Sequence, residues 1–320
     1  MKVRLGIDSV VPEALLQGFS REVQVVRIPE NPEGEIEIDF WVPALRPRTV
    51  QHQWQHLKGV RVIQLPWAGV DTLLKFFPPE VTLCDARGVH DIPTAEWTVT
   101  AILAMQKCLP FFLEKQRQGK WALGQQAQQI DQPLPTKIKD PAAPMKDVAD
   151  AAVLIVGYGA IGEAIETRLS PFGAKFVRVA RRARAGVEPV ANLDQLLPDA
   201  DIVVLTVPLT SETRHLFGAR RLAKMKPGAL LVNASRGAIV ETDALAQFLN
   251  EGKIRAAVDV TDPEPLPEGH PLWKAANLLL TPHVAGDSDR FMERAFKLIR
   301  EQVERFARGE PVINIVTGEY

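Results

Sequence analysis

Short apolar runs alternate with helix-like segments along the whole chain. Runs of four to eight residues, rich in β-branched side chains and bounded by turn residues, are typical of buried strands. Strands that alternate with helices predict a parallel sheet covered by helices on both faces. In the first third of the chain the runs are Val3–Ile7, Val23–Ile28, Ile36–Val42, Val60–Leu65 and Val81–Cys84.

The alternation resumes at Ala152 with clearer signals. Each run is separated from the next by a helical or turn segment, so the second half predicts a parallel sheet of about six strands. Its runs are VLIV, KFVRVA, DIVVLTV, GALLVNAS, IRAAVDV and NLLLTPH.

Two long helices and one irregular segment connect these halves. The apolar spacing over Thr94–Lys115 predicts one long connecting helix. The stripe along Asp289–Arg308 predicts a last helix that ends at Gly309 and folds back onto the first domain. Residues 122–146 are mostly Gln, Pro, Ala and Asp with little periodicity, which predicts an irregular excursion.

Composition limits the possible functions. At about 150 residues per domain, 320 residues predict two domains. The net charge of −1 gives no electrostatic reason to expect nucleic acid or a membrane as a partner. The start lacks a signal-peptide pattern and no long apolar stretch occurs, so we expect a cytoplasmic protein. Two cysteines, Cys84 and Cys108, predict buried thiols and neither a disulfide framework nor a metal site.

A glycine motif opens the second half. GYGAIG, formed by Gly157, Tyr158, Gly159, Ala160, Ile161 and Gly162, lies between a strand signal and a helix signal. In that context the first glycine permits a tight turn, the second lets a pyrophosphate approach the backbone, and the third lets helix and strand pack closely. The alternative is a turn that binds nothing, but the context favours a dinucleotide site at the helix N-terminus.

The next strand indicates which dinucleotide binds. NAD sites commonly have Asp or Glu at its end, for the ribose hydroxyls. Here Ala180 is followed by Arg181 and Arg182, and guanidinium groups bind phosphate with paired donors. The sequence therefore favours NADP(H), with NAD(H) also possible; the alternative is a solvated basic turn.

Three polar residues follow successive strand signals of the second half. Arg236 follows LLVNAS, Glu264 follows AAVDV, and His283 follows LLLTP. Ligands bind at the carboxyl edge of open α/β sheets, so these side chains could converge there. Together with a dinucleotide they fit reduction of a carbonyl beside a carboxylate, in which His donates a proton, Glu orients it and Arg binds the carboxylate.

These motifs resemble the D-isomer-specific 2-hydroxyacid dehydrogenases, which include glyoxylate/hydroxypyruvate reductases. The likeness covers nearly the whole chain, through GYGAIG, VPLTSETRHLF, MKPGALLVNASRGAIV, AAVDVTDPEPLP, HPLW and TPHVAG in the family's order. It implies a Rossmann doubly wound sheet inserted into a smaller flavodoxin-like α/β substrate domain, and a homodimer. We expect the substrate domain at residues 1–102 plus 285–320, and the dinucleotide-binding domain at 103–284.

The resemblance also implies residue roles. Arg236, Glu264 and His283 occupy the catalytic positions, and the substrate, a small 2-keto or 2-hydroxy acid, would also contact the loop of Trp67, Ala68, Gly69 and Val70. Further cofactor contacts are expected at Val207, Pro208, Ala234 and Asp259.

Two departures and two alternatives remain. Thr261 stands where the family usually has Phe, and residues 122–146 match no family pattern. Formate dehydrogenases resemble this chain in architecture, but they have Gln at the position that matches Glu264. The presence of Glu264 therefore argues against formate oxidation. The remaining alternative is a non-catalytic NADP(H)-binding sensor or corepressor, because fold alone does not establish activity.

Overall fold

The computed structural model describes residues 2–43, 47–71, 73–74, 76–120, 145–275 and 277–318. The chain forms two compact units: unit 1 consists of residues 1–90 and 287–320, and unit 2 of residues 91–286. The sequence predicts the divisions at 102/103 and 284/285. In the structure the divisions fall at 90/91 and 286/287, so residues 91–102, the first part of the predicted connecting helix and the turn before it, lie in unit 2. Residues 122–144 of the predicted irregular excursion lie outside the described residues.

Unit 1 contains a five-stranded parallel sheet of order β2-β1-β4-β6-β7, the flavodoxin-like order, and a separate parallel pair β3-β5. The buried faces of its strands pack against α1 on one side and α8 on the other. The strands are β1 Val3–Asp8, β2 Val23–Ile28, β3 Ile36–Glu37, β4 Phe40–Val42, β5 Leu57–Lys58, β6 Val62–Gln64 and β7 Thr82–Cys84; the helices are α1 Pro47–Trp54 and α8 Phe291–Ala307.

Unit 2 contains a seven-stranded parallel sheet of order β10-β9-β8-β11-β12-β13-β14, the Rossmann order. Its strands are β8 Ala152–Val156, β9 Lys175–Ala180, β10 Glu188–Pro189, β11 Ile202–Leu205, β12 Leu230–Asn233, β13 Arg255–Val258 and β14 Leu278–Leu280. Its helices are α2 Asp91–Gln106, α3 Leu109–Arg117, α4 Ala160–Leu169, α5 Leu193–Leu196, α6 Ala219–Leu222 and α7 Thr242–Asn250. The predicted α/β fold is confirmed, with the short β10 as one strand more than the six runs.

The predicted long helix over Thr94–Lys115 is divided. α2 ends at Gln106, and Cys108 adopts a left-handed conformation before α3 begins. Pro110 explains the break, because a proline inside a helix lacks the N–H that would bond to the carbonyl four residues back. That carbonyl, on Gln106, instead accepts the Lys146 N–H at 2.9 Å.

α2 belongs to unit 2, because its buried side chains lie in the core of that unit. Ala95, Ile102 and Met105 of α2 are buried among strand residues such as Val153 and Val204. At the end of α2 the buried Arg255 side chain donates to the carbonyl of Met105 at 2.9 Å and to the Gln106 side chain at 2.6 Å.

Within the described residues, every helix is too short or too polar to cross a membrane.

Candidate active site

The glycine loop connects β8 to α4 at the point where the strand order of unit 2 reverses. Gly157 has φ +105°, and a Cβ there would lie 2.6 Å from the carbonyl carbon of Thr206 at the end of β11. A side chain is therefore excluded by both conformation and space. A Cβ on Gly162 would lie 3.1 Å from Ile155 Cγ2, so this glycine allows close packing of α4 on β8.

The N-terminus of α4 fits a bound pyrophosphate. Gly159 is its N-cap, without a side-chain cap hydrogen bond, and a Cβ there would meet no atom within 4 Å. The first N–H groups of a helix have no intrahelical acceptor, and the helix dipole favours an anion beside them. The open space beside these donors fits the diphosphate of a dinucleotide, in which Ala160, Ile161 and Gly162 would supply the donors.

Arginine side chains surround Tyr158, the second residue of this loop. The guanidinium carbons of Arg178 and Arg184 lie 5.5 Å and 5.8 Å from the Tyr158 ring centroid. Arg178 also binds the Glu166 carboxylate through both of its oxygens, with Nε 2.6 Å from Oε2. This pair lowers the pKa of Glu166 and raises that of Arg178. Because the Glu166 carboxylate already neutralises the Arg178 guanidinium, we assign this side chain to stabilising the fold and not to binding a cofactor.

Arg184 belongs to the same basic stretch as Arg181 and Arg182 but is not among the predicted cofactor-binding residues. Its side chain reaches back from the turn after β9 and donates to the Tyr158 carbonyl at 2.5 Å. Ala180 ends β9, and Arg181 and Arg182 are exposed immediately after it. The basic end of β9 therefore adjoins the glycine loop, a contact that only the folded chain reveals.

Val207 and Pro208 follow β11, the strand beside β8. The Pro208 carbonyl accepts the Thr213 hydroxyl at 2.6 Å, which holds this loop. These two residues therefore leave the same sheet edge as the glycine loop, whereas their contact with a cofactor stays a prediction.

Arg236 leaves the sheet through a tight turn after β12. The buried Asn233 side chain closes this turn, because its amide donates to the Arg236 carbonyl at 3.0 Å and its oxygen accepts the Ser235 hydroxyl at 2.7 Å. Ala234 lies half-buried inside the turn. The Arg236 guanidinium donates to the Ser235 carbonyl at 2.7 Å, which fixes part of its orientation.

The segment after β13 packs directly on this turn. Gly237 follows Arg236 directly. A Cβ at this position would lie only 1.9 Å from the Thr261 carbonyl oxygen, so the position requires glycine. Thr261 occupies the position where Phe was expected, and its hydroxyl donates to the Pro263 carbonyl at 2.9 Å. That bond supports the short stretch that carries Glu264.

His283 and Glu264 are paired. His283 Nδ1 lies 2.5 Å from Glu264 Oε1, and both side chains are about half exposed to solvent, at 44% and 40%. A carboxylate that accepts from Nδ1–H leaves Nε2 to exchange a proton with a ligand. The residues predicted from separate strand ends therefore lie at the carboxyl ends of the three neighbouring strands β12, β13 and β14.

Asp259 holds the turn that carries His283. Its carboxylate is buried and accepts the N–H groups of Val284 at 2.9 Å and Ala285 at 2.8 Å, and the Thr281 hydroxyl at 2.5 Å. Its main-chain carbonyl accepts the His283 N–H at 2.7 Å. His283 has φ +57°, so this network holds a conformation that L-residues seldom adopt. The predicted contact of Asp259 with the cofactor stays a prediction; in the structure its carboxylate binds the turn that carries His283.

The predicted substrate loop belongs to unit 1 and follows β6. Trp67, Ala68 and Gly69 are half-buried, whereas Val70 is buried and its carbonyl accepts the N–H groups of residues 73 and 74. The Trp67 ring packs on the core beside α1, and its carbonyl accepts the Ala86 N–H at 3.0 Å. The contact of this loop with substrate stays a prediction. The described residues contain no group of three His, Cys, Asp or Glu side chains able to hold a metal.

Comparison with known proteins bears on this site. The family model described as "D-isomer specific 2-hydroxyacid dehydrogenase, NAD binding domain" matches residues 99–285. A glyoxylate reductase of Thermofilum pendens is 37% identical over 72% of this chain and 67% of its own length. A glycerate dehydrogenase of Methylorubrum extorquens is 30% identical over 80% of this chain and 79% of its own length.

A solved structure extends the likeness to the whole chain. The NADPH-dependent glyoxylate/hydroxypyruvate reductase of Sinorhizobium meliloti, in complex with NADP and sulfate, has a TM-score of 0.80 and 25% identity, and the match covers all of both chains. The family resemblance of the sequence motifs is thus confirmed, and a nicotinamide cofactor belongs to the site. The chain is a member of the D-isomer specific 2-hydroxyacid dehydrogenase family, and its activity is that of an NAD(P)-dependent dehydrogenase.

Proposed function

We propose that this protein reduces small 2-keto acids of the glyoxylate and hydroxypyruvate type to D-2-hydroxy acids, with NADPH as the preferred reductant. The observation that carries this proposal is the 2.5 Å contact between His283 Nδ1 and Glu264 Oε1 at the same sheet edge as the glycine loop. The glyoxylate reductase relatives support the substrate class.

The chemistry divides between the cofactor and three side chains. A nicotinamide bound at the glycine loop supplies the hydride that carbonyl reduction requires. Glu264 accepts the Nδ1–H of His283 and orients the ring, so that Nε2 gives its proton to the carbonyl oxygen in reduction and takes it back in oxidation. Arg236 binds the substrate carboxylate with two parallel donors.

The preference for NADPH rests on the end of β9. Ala180 provides no carboxylate for the ribose hydroxyls, and Arg181, Arg182 and Arg184 are exposed beside the glycine loop. A charge-assisted hydrogen bond contributes about 1.5–3 kcal/mol, so one such contact to a 2′-phosphate favours NADPH by roughly tenfold or more in kcat/KM. Arg178 does not add to this preference, because Glu166 already binds it.

The test measures oxidation of NADPH and NADH with glyoxylate and hydroxypyruvate at fixed ionic strength. We expect turnover with both acids and a higher kcat/KM for NADPH. Ala180→Asp combined with Arg181→Ala should reverse the cofactor preference, because it adds a charge that repels the phosphate and removes a partner. The control is Arg21→Ala, which removes an exposed arginine of unit 1 and should leave the preference unchanged. Equal kcat/KM values for the two cofactors would contradict the assignment of these arginines.

A sensor or corepressor that binds NADP(H) without turnover is the second candidate. It predicts cofactor binding and no oxidation of NADPH with any 2-keto acid. The paired His283 and Glu264 disfavour it, because a protein that only binds the cofactor does not require an oriented proton donor.

We also propose that the protein is a homodimer. The exposed apolar side chains of Leu109 and Leu113 on α3 support this proposal, and sedimentation equilibrium tests it.

A further inference from the structure

Glu264 lies on the loop of residues 260–266, which follows β13 in unit 2. Pro263 and Pro265 have no N–H to donate, and Leu266 packs against the core of the unit. Among the residues that the structure describes, no main-chain group donates to or accepts from the main chain of this loop. Side chains must therefore supply the hydrogen bonds that hold the loop in its observed conformation.

Two threonine hydroxyls supply these bonds. Thr242, the first residue of α7, donates to the Asp262 carbonyl at 2.6 Å. Thr261, in the loop itself, donates to the Pro263 carbonyl at 2.9 Å. Both threonines are half-buried. Because the two carbonyls belong to the two residues directly before Glu264, the hydroxyls fix the backbone from which the Glu264 side chain leaves.

The loop also packs on the turn that carries Arg236. A Cβ on Gly237 would lie 2.0 Å from the Thr261 carbonyl carbon and 2.6 Å from the Asp262 nitrogen. The peptide group between residues 261 and 262 therefore lies directly against the residue that follows Arg236. A displaced loop would change the spacing between Glu264 and the Arg236 turn.

The Glu264 carboxylate depends on this backbone for its position. Within the described residues, His283 is the one group that hydrogen-bonds to it, with Nδ1 2.5 Å from Oε1. The carboxylate is 40% exposed, so packing around it is loose. A side-chain contact at 3.6 Å is no longer a hydrogen bond, so a loop shift of roughly 1 Å would break the pair.

We propose that Thr242 and Thr261 are positioning residues for the reaction. Their hydroxyls hold the loop, and the loop places the Glu264 carboxylate on His283 Nδ1. This inference rests on the proposed reduction of 2-keto acids, in which Glu264 orients His283. Thr261 stands where the family usually has Phe, and a Phe side chain has no hydroxyl to donate to the Pro263 carbonyl.

The first experiment removes each hydroxyl and keeps the β-branched shape. Thr261→Val and Thr242→Val should each lower kcat/KM for NADPH-dependent glyoxylate reduction by roughly three- to tenfold, with NADPH affinity nearly unchanged. The corresponding Ser variants keep the hydroxyl and should stay within about twofold of the wild type. The matched control is Thr167→Val, because the exposed Thr167 also donates to one carbonyl, that of Glu163 at 2.8 Å, and should have no effect.

The second experiment asks whether Thr261 acts through Glu264. Glu264→Ala removes the carboxylate, so the conformation of the loop no longer affects the orientation of His283. Adding Thr261→Val to Glu264→Ala should therefore change kcat/KM by less than about twofold. A threonine that only stabilised the fold would lower kcat/KM by the same factor in both backgrounds.

The outcomes separate the two proposals. Turnover by the wild type, with Val variants as active as it is, with Ser variants as impaired as the Val variants, or with effects that multiply in the Glu264→Ala background, overturns the positioning role alone. Absence of turnover by the wild type with every 2-keto acid overturns the proposed function and the positioning role with it.

Discussion

Replacement of Asp259 by Asn tests whether this buried carboxylate positions His283, the proposed proton donor. The carboxylate accepts three hydrogen bonds from Thr281, Val284 and Ala285, and it is 2% exposed. An Asn amide keeps one acceptor oxygen, so at least one of the two N–H groups would face an NH₂ group. The loss of a charge-assisted bond costs about 1.5–3 kcal/mol, and a buried donor without an acceptor costs roughly 1–3 kcal/mol more. We therefore expect unfolding free energy to fall by about 3–5 kcal/mol.

The kinetic effect follows from the same contacts. A looser turn displaces His283 relative to the substrate, and misplacement by about 1 Å costs up to roughly a hundredfold in rate. We expect kcat for glyoxylate reduction to fall by about tenfold or more, with the affinity for NADPH nearly unchanged. If Asp259 contacts the cofactor directly, the loss should appear mainly in NADPH affinity.

Urea unfolding, steady-state kinetics and NADPH titration of the same preparation measure all three quantities. Asp243→Asn is the matched control, because Asp243 is exposed in the first turn of α7 and should cost less than about 1 kcal/mol. A stability within about 0.5 kcal/mol of the wild type for Asp259→Asn would refute the clamping role.

Three further predictions follow from individual side chains. Arg236→Lys should lower kcat/KM for glyoxylate by about tenfold or more, because an ammonium cannot reproduce the planar pair of donors; an unchanged value would remove Arg236 from carboxylate binding. Burial raises the pKa of the Cys84 thiol to about 12, so a thiol reagent at pH 8 should label it only after unfolding; rapid labelling of Cys84 in the native protein would contradict its burial. The Arg4 guanidinium lowers the pKa of Asp39, so their contact stabilises the fold above the ordinary Asp pKa of about 4 and is lost as the pH falls through the lower folded-state value. Asp39→Asn should therefore be less stable than the wild type at pH 7 and differ less from it at pH 3, as urea unfolding at both pH values would reveal.

Strand signals and the residues after them could be predicted from the sequence because both are local. Runs such as Val153–Val156 are buried on both faces of a parallel sheet, so their composition alone marks them. Polar residues that follow such runs must lie near the carboxyl edge, which explains why His283 and Glu264 were selected together.

Features that depend on tertiary contacts could not be predicted in this way. The two-residue β10 is too short to show a period. The apolar residues of α2 indicate a buried face without indicating what covers it, and they pack in unit 2. Arg184 looks like any exposed arginine in the sequence, and only the fold brings its side chain to the Tyr158 carbonyl.

The most direct test of the account is the kcat of His283→Asn for NADPH-dependent glyoxylate reduction. Asn is the matched replacement, because it tolerates the left-handed conformation that His283 adopts at φ +57° and cannot donate a proton as an imidazolium does. We predict that kcat falls by at least about a hundredfold while NADPH affinity is retained. A variant that keeps a near-wild-type kcat would contradict the assignment of His283 as the proton donor.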